Sequence, residues 1–420
     1  MMKSYSILFF WFLSVLTISC SSDLEECCLE KEIVKTSSHR ISSEQAAQNA
    51  LNFVSNIYNS TRSEQKSFTI SDVKAINGYV DPTRARNDSV SFDSLFYVVS
   101  FEDNQGFVIA ASDDREQPVF AYVESGTYED ASDENPGFER FLGNLYEKEY
   151  AERIKDENKR LQDDPDIDNP RGGTGGVNPN PDMIEIMYPL LATKWNQTSY
   201  NKYCPKNYTG CVVTAVSQIC SYLRSPNQVS WSSNYNCGIY PIDWNSIITE
   251  CICNHGTVNN ETLKDQVSAL MRFWGVVFDA DYEDGGTGVD SEYAVSQMQQ
   301  LCMNVTDLID YDGPEVVRQL KKGNKIIFMR GYGRYYHVGF VFRKYVDGHA
   351  WVVDGCIESV HNHKTSYYVH CNWGWGGLSN GYFLSNVLNA EEKAYYDDYG
   401  NAITRSSNYQ YELQYAVFSK

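Results

Sequence analysis

Apolar residues along this chain follow two spacings, and the changes from one to the other mark its elements. Ala47, Ala50, Leu51, Val54, Ile57 and Tyr58 recur at helical spacing behind the capping pair Ser42 and Gln45, which predicts an amphipathic helix. Strand-forming runs come next. Leu95 to Phe101 and Phe107 to Ala111 flank Glu102-Asp103-Asn104-Gln105-Gly106 as a hairpin with glycine in its loop, and Pro118 to Val123 adds another strand. Near Pro136 the helical spacing returns, with Phe138, Phe141, Leu142 and Leu145 on one face before the chain turns highly charged towards Arg160.

From Gln162 to Asp182 both patterns give way to Asp, Pro and Gly, including Gly172-Gly173-Thr174-Gly175-Gly176, which predicts an exposed linker and a natural place for a proteolytic cut. Beyond it Val212, Val216, Ile219 and Leu223 share one face of a helix whose first turn holds Cys211. Ala350-Trp351-Val352-Val353 and Ser366-Tyr367-Tyr368-Val369-His370-Cys371 are rich in β-formers and predict strands. At the other end, Lys3 precedes an apolar run from Ile7 to Ile18, too short to span a bilayer and suited to the core of a secretory signal. Its ending, Leu16-Thr17-Ile18-Ser19-Cys20, resembles a bacterial lipoprotein signal, which implies lipidation of Cys20. The acidic stretch Ser21-Ser22-Asp23-Leu24-Glu25-Glu26 resembles signals for the outer surface, and ordinary secretion with cleavage nearby is the alternative.

A chain of 420 residues predicts two or three domains. The net charge of −20, with no basic stripe to offset it, argues against a nucleic-acid partner, whose phosphates would repel it. Thirty-one tyrosines suit an extracellular, β-rich protein with many half-exposed faces. Twelve cysteines invite disulfides without revealing their pairing. Cys251-x-Cys253-x-His255 lacks both the usual gap between zinc ligands and a second pair to complete a tetrahedron, so no metal or other cofactor is expected.

Three segments carry candidate chemistry: Thr209-Gly210-Cys211-Val212-Val213-Thr214-Ala215, Gly348-His349-Ala350-Trp351-Val352-Val353-Asp354-Gly355 and Asn372-Trp373-Gly374-Trp375-Gly376-Gly377. A thiol is nucleophilic only as thiolate, and a helix N-terminus together with an imidazolium can lower its pKa enough to supply it. His349 follows Cys211 by 138 positions and Asn372 follows by 161. The first distance fits, and the second slightly exceeds, the roughly 130–150 expected when a papain-type thiol, imidazole and amide share one site. An asparagine carbonyl can fix the tautomer of such a histidine, and Trp373 beside it can shield that bond. Cysteines 220, 302 and 356 lack a preceding glycine turn and a matching distal histidine, and are expected to be structural.

The three segments resemble the streptopain family of papain-like bacterial cysteine peptidases, whose members show Thr-Gly-Cys-Val-Ala-Thr-Ala, Gly-His-Ala-Phe/Trp-Val-Ile-Asp-Gly and Asn-Trp-Gly-Trp-Gly-Gly in this order. The resemblance implies that Cys211 is the nucleophile, His349 the general acid and base, and Asn372 the orienting amide. An upstream Trp-x-Gln element is matched by Trp195-Asn196-Gln197, which implies that Gln197 donates to the oxyanion with the Cys211 N–H. Gly348 and Thr287 match positions that line the substrate cleft. Two departures stand out: Val213 replaces an alanine, and the longer segment before His349 offers a rival imidazole, His337, 126 positions after Cys211.

The resemblance further implies an α+β papain-like fold, a helical subdomain packed on a twisted antiparallel sheet, preceded by an α+β inhibitory prodomain. Gly106 to Arg115 resembles a strand of that prosegment. The expected plan is a signal peptide over 1–20, prodomain over 21–161, linker over 162–185 and catalytic domain over 186–420. The expected partners are protein or peptide substrates, the chain's own prodomain, and a membrane only through a lipid anchor. A permanent accessory domain is the alternative for the N-terminal half. Acyl transfer on the same fold, or a surface protein that has lost the chemistry, are the alternatives for the whole.

Overall fold

The structure, a computed structural model, describes residues 39–59, 66–78, 92–163, 183–232, 238–338, 342–361, 363–388 and 411–420. The leader with Cys20, most of the expected linker and the side chain of His337 lie outside the described residues. In chain order the first half holds α1 (Ser43–Asn59), β1 (Ile70–Gly78), β2 (Phe92–Phe101), β3 (Phe107–Ala111), β4 (Val119–Val123), α2 (Tyr128–Glu134), α3 (Pro136–Asp163) and β5 (Met183–Met187). Helices dominate next: α4 (Cys211–Leu223), the hairpin β6 (Gln228–Ser230) and β7 (Ile239–Pro241), α5 (Trp244–Cys253), α6 (Glu261–Val277), the hairpin β8 (Asp281–Glu283) and β9 (Gly286–Gly288), and α7 (Ser291–Gln300). The chain closes with β10 (Ile309–Asp310), α8 (Gly313–Lys321), β11 (Lys325–Val338), β12 (Phe342–His361), β13 (Lys364–Asn372), β14 (Gly381–Leu384), α9 (Ser385–Leu388) and β15 (Tyr411–Ser419).

The predicted elements form close to where their spacing places them. Ser42 caps α1 by accepting from the Gln45 N–H at 3.2 Å, whereas the Gln45 side chain turns to Asn49, so only half of a capping box is made. The β2–β3 hairpin pairs Ser100 with Phe107. Both ends of the predicted 162–185 linker prove regular, since α3 runs to Asp163 and β5, starting at Met183, pairs with β12.

The N-terminal half shares its sheet with the rest of the chain. One antiparallel sheet runs β1-β2-β3-β4-β14-β13-β12-β11-β15-β10, so the strands of both halves join where β4 meets β14, with Tyr122 opposite Tyr382. The central strands are buried on both faces, and alternate residues serve two cores. Ile326, Phe328, Ala350, Val352, Ala416 and Phe418 face a core built with α4, α5 and α6. Ile327, Met329, Trp351, Val353, Tyr415 and Val417 face the other, which also takes in α1 and the aromatic start of α3. Phe141 of α3 meets Phe383 of β14 edge-on at 5.0 Å, so aromatic packing crosses the same seam as the strand ladder. Among the described residues no helix is long and apolar enough to cross a membrane.

Candidate active site

Gly210 makes the site possible. Its φ of 95° lies in the left-handed region that side chains avoid, and the turn it makes lets α4 begin on Cys211 itself. The loop ahead is tied down by the Thr209 N–H, which donates to the Gln197 carbonyl at 2.9 Å, and by Thr214, whose hydroxyl donates to the Gly210 carbonyl. Thr287 seats the other side of the turn: a side chain on Gly210 would meet it at 3.2 Å, and its hydroxyl donates to the Tyr208 carbonyl.

Cys211 is half-buried, and the backbone N–H groups of Ala350, of Val212 and of its own residue face its sulfur. Burial nonetheless pushes the thiol up from its ordinary value. His349, the residue before Ala350, is buried beneath indoles: its ring lies 5.9 Å from Trp351, 6.4 Å from Trp373 and 6.3 Å from Trp375. Burial pushes this imidazole down to about 4, the Trp373 carbonyl opposes that shift, and the charge of Arg140 on α3 adds to it. Both shifts favour the uncharged form of each side chain.

The hydrogen bond expected between His349 and Asn372 is not made. His349 Nε2 lies 3.0 Å from the carbonyl oxygen of Trp373, which can only accept, so Nε2 carries the proton and Nδ1 is the basic nitrogen. Asn372 instead accepts from the Gln218 side chain at 3.2 Å and donates to the Thr193 carbonyl at 2.8 Å. Gln218 also accepts from the Trp195 N–H at 2.9 Å, so this buried amide on the Cys211 helix ties the Trp195-Asn196-Gln197 segment to the strand ending in Asn372. Gln218 lies two turns after Cys211 on the same face, a polar residue in an apolar helix, and that mismatch was the signal available for it.

Trp373 is buried, with its indole N–H donated to the Ser379 carbonyl. Gly137 of α3 packs flat on this indole: a Cβ there would fall 2.4 Å from a ring carbon. Gly348 is exposed beside Tyr332, whose ring would lie 3.0 Å from a Cβ at that position. Gln197 is half-buried at the approach to Cys211. Cys211, His349, Gln197, Thr287 and Gly348 thus lie on segments that meet around the start of α4, with Asn372 and Trp373 behind them. The backbone of the rival His337 pairs with Arg343, near the far end of the β11–β12 ladder from the His349 pairing with Gly331. The described cysteines, Cys220 and Cys356 buried and Cys302 exposed among them, are all free thiols.

Residues 195–383 match the Peptidase C10 family, and residues 38–149 match the Spi protease inhibitor family. Streptopain of Streptococcus pyogenes is 25% identical over 325 residues, which span 68% of this chain and 72% of streptopain. The thiol protease/hemagglutinin PrtT of Porphyromonas gingivalis is 24% identical over 331 residues, 71% of this chain and 34% of that protein. Among solved structures, a prointerpain A fragment from Prevotella intermedia aligns with 77% of this chain and 94% of its own length at 21% identity, with a TM-score of 0.47.

Proposed function

Because this chain is a cysteine peptidase, with a Peptidase C10 domain behind a Spi-type inhibitor segment, we propose that it is made as an exported zymogen. Its Cys211 then cuts proteins once the prosegment has left. The observation that carries the reading is the meeting of α4 with β12 and β13: backbone N–H groups surround the Cys211 sulfur, and Gln218 of the same helix holds Asn372. The Cys211 thiolate attacks the scissile carbonyl, and the Gln197 amide with the Cys211 N–H stabilises the oxyanion. His349 Nδ1 takes the thiol proton and gives it to the leaving amine, and then serves as base for the water that releases the acyl-enzyme. The tautomer this needs is supported by the Trp373 carbonyl on Nε2.

Latency follows from the same contacts. Gly137 packing on Trp373 and the Arg140 charge acting on His349 both come from the prosegment, and the Arg140 charge disfavours the imidazolium. Removing α3 rehydrates the ring and lets it accept the thiol proton. Export and a lipid anchor on Cys20 rest on the leader alone. Expressed by itself, the full chain carrying Cys211→Ala should remain unprocessed and cut no casein; normal maturation of that variant would overturn the reading. Mass spectrometry of the wild-type mature N-terminus reports both lipidation and the cut.

A further inference from the structure

A second buried histidine sits on the seam between prosegment and catalytic sheet. His370 of β13 is 3% exposed, and each of its ring nitrogens faces a carboxylate. Nδ1 lies 2.6 Å from Asp354 Oδ1 on β12, and Nε2 lies 3.6 Å from Oε1 of Glu124, the residue that follows β4. Asp354 is anchored from the other side by the Leu191 N–H at 3.0 Å. Only Nδ1 is hydrogen-bonded; Glu124 acts on Nε2 as a charge at 3.6 Å, and a ring flanked by two carboxylates is favoured as imidazolium. Asp354 belongs to the catalytic sheet, so Glu124 is the prosegment's share of the pairing.

We infer that Glu124, His370 and Asp354 form a pH-sensitive clasp that holds the prosegment to the catalytic sheet, closed while Glu124 is ionised and His370 is charged. The inference rests on the zymogen reading. Other groups facing the clasp are Lys194 and Lys66, whose charges act on Glu124, Tyr122, on which Glu124 acts and whose hydroxyl meets that of Tyr58, the Tyr382 ring 5.1 Å from His370, and the Cys371 thiol, on which Asp354 acts. Burial works against the imidazolium, yet Asp354 and Glu124 together hold it up at about 9. Burial likewise works against the Glu124 carboxylate, and His370 outweighs it to set Glu124 below its ordinary value.

The signs define a window. The raised histidine contributes fully below its ordinary value of about 6.5, and its contribution is lost as pH climbs through about 9. The lowered carboxylate contributes above about 4.5, and its contribution is lost as pH falls further. Between those limits the clasp keeps β4 on β14. Through α2 it thereby keeps Gly137 on Trp373, whose carbonyl faces His349.

The test uses the full chain carrying Cys211→Ala, so that nothing is processed, with and without Glu124→Gln. Amide-exchange protection of residues 119–124 and 381–384, corrected for intrinsic exchange at each pH, should fall on the order of tenfold in the Glu124→Gln chain near pH 6. The ratio should return towards one by about pH 9.5, where His370 is neutral, and His370→Gln should remove the pH dependence. A ratio near one at pH 6, or one that ignores pH, overturns the clasp. Processing of the otherwise wild-type chain separates the two readings. Faster maturation of Glu124→Gln supports both, whereas altered exchange with unaltered maturation keeps the clasp and removes inhibition by the prosegment.

Discussion

His349 and His370 are both buried on neighbouring strands of one sheet, and their environments drive them in opposite directions. Beneath its three indoles His349 has a backbone carbonyl on Nε2 and a cation acting on it from α3, and it goes down to about 4. Between two carboxylates His370 goes up to about 9. Desolvation lowers both and prevails at His349, whereas at His370 two anions stand close enough to outweigh it. A catalytic base needs a neutral ring to take a proton, and a buried ion pair needs a charged one.

The largest effect that can break this contrast is kinetic. In the processed enzyme His349→Ala should lower kcat/KM by on the order of 10²–10⁴ and abolish labelling of Cys211 by an epoxide inhibitor. His370→Gln should stay within about tenfold of wild type, because it has no proton to move; peptide-hydrolysis kinetics decide, and equal losses would merge the two roles.

Stability comes next. In the unprocessed Cys211→Ala background, His370→Ala leaves Asp354 buried without its cation and should cost roughly 3–5 kcal/mol in urea unfolding. The same chain should show opposed pH slopes. The lowered His349 costs stability as pH falls from about 6.5 towards 4, whereas the raised His370 loses its contribution as pH rises from about 6.5 through 9, each at up to ~1.4 kcal/mol per pH unit. The smallest effect belongs to Arg140. Arg140→Gln should raise the His349 titration by a fraction of a pH unit in a nitrogen-detected NMR titration and leave His370 where it is, since burial remains the dominant cause at His349.

Elements whose signal is local were legible in the chain. Helices α1 and α4, the β2–β3 hairpin and the strands carrying His349 and Asn372 each show their own spacing or β-forming content, and Gly210 before Cys211 marks a turn that other residues avoid. Less of the site was legible. The partner on His349 Nε2 is a backbone carbonyl, which every residue has, so no residue type could announce it. Asn372 and Gln218 are both amides, and which neighbour each one chose depended on packing around Thr193 and Trp195.

The seam was not legible for a different reason. The continuous apolar runs of β4 and β14 suit strands buried on both faces, but such runs fit many partners, and Tyr122 and Tyr382 meet across more than half the chain. Glu124, Asp354 and His370 likewise sit in three separate runs with nothing local to link them. Residue types and spacing along the chain determined the presence of a thiol at a helix start, an imidazole and an amide on strands, and a segment of helices and strands ahead of them. Tertiary structure alone decided which histidine is charged, because protonation of a buried ring depends on the dipoles and charges that folding brings within a few ångströms of it.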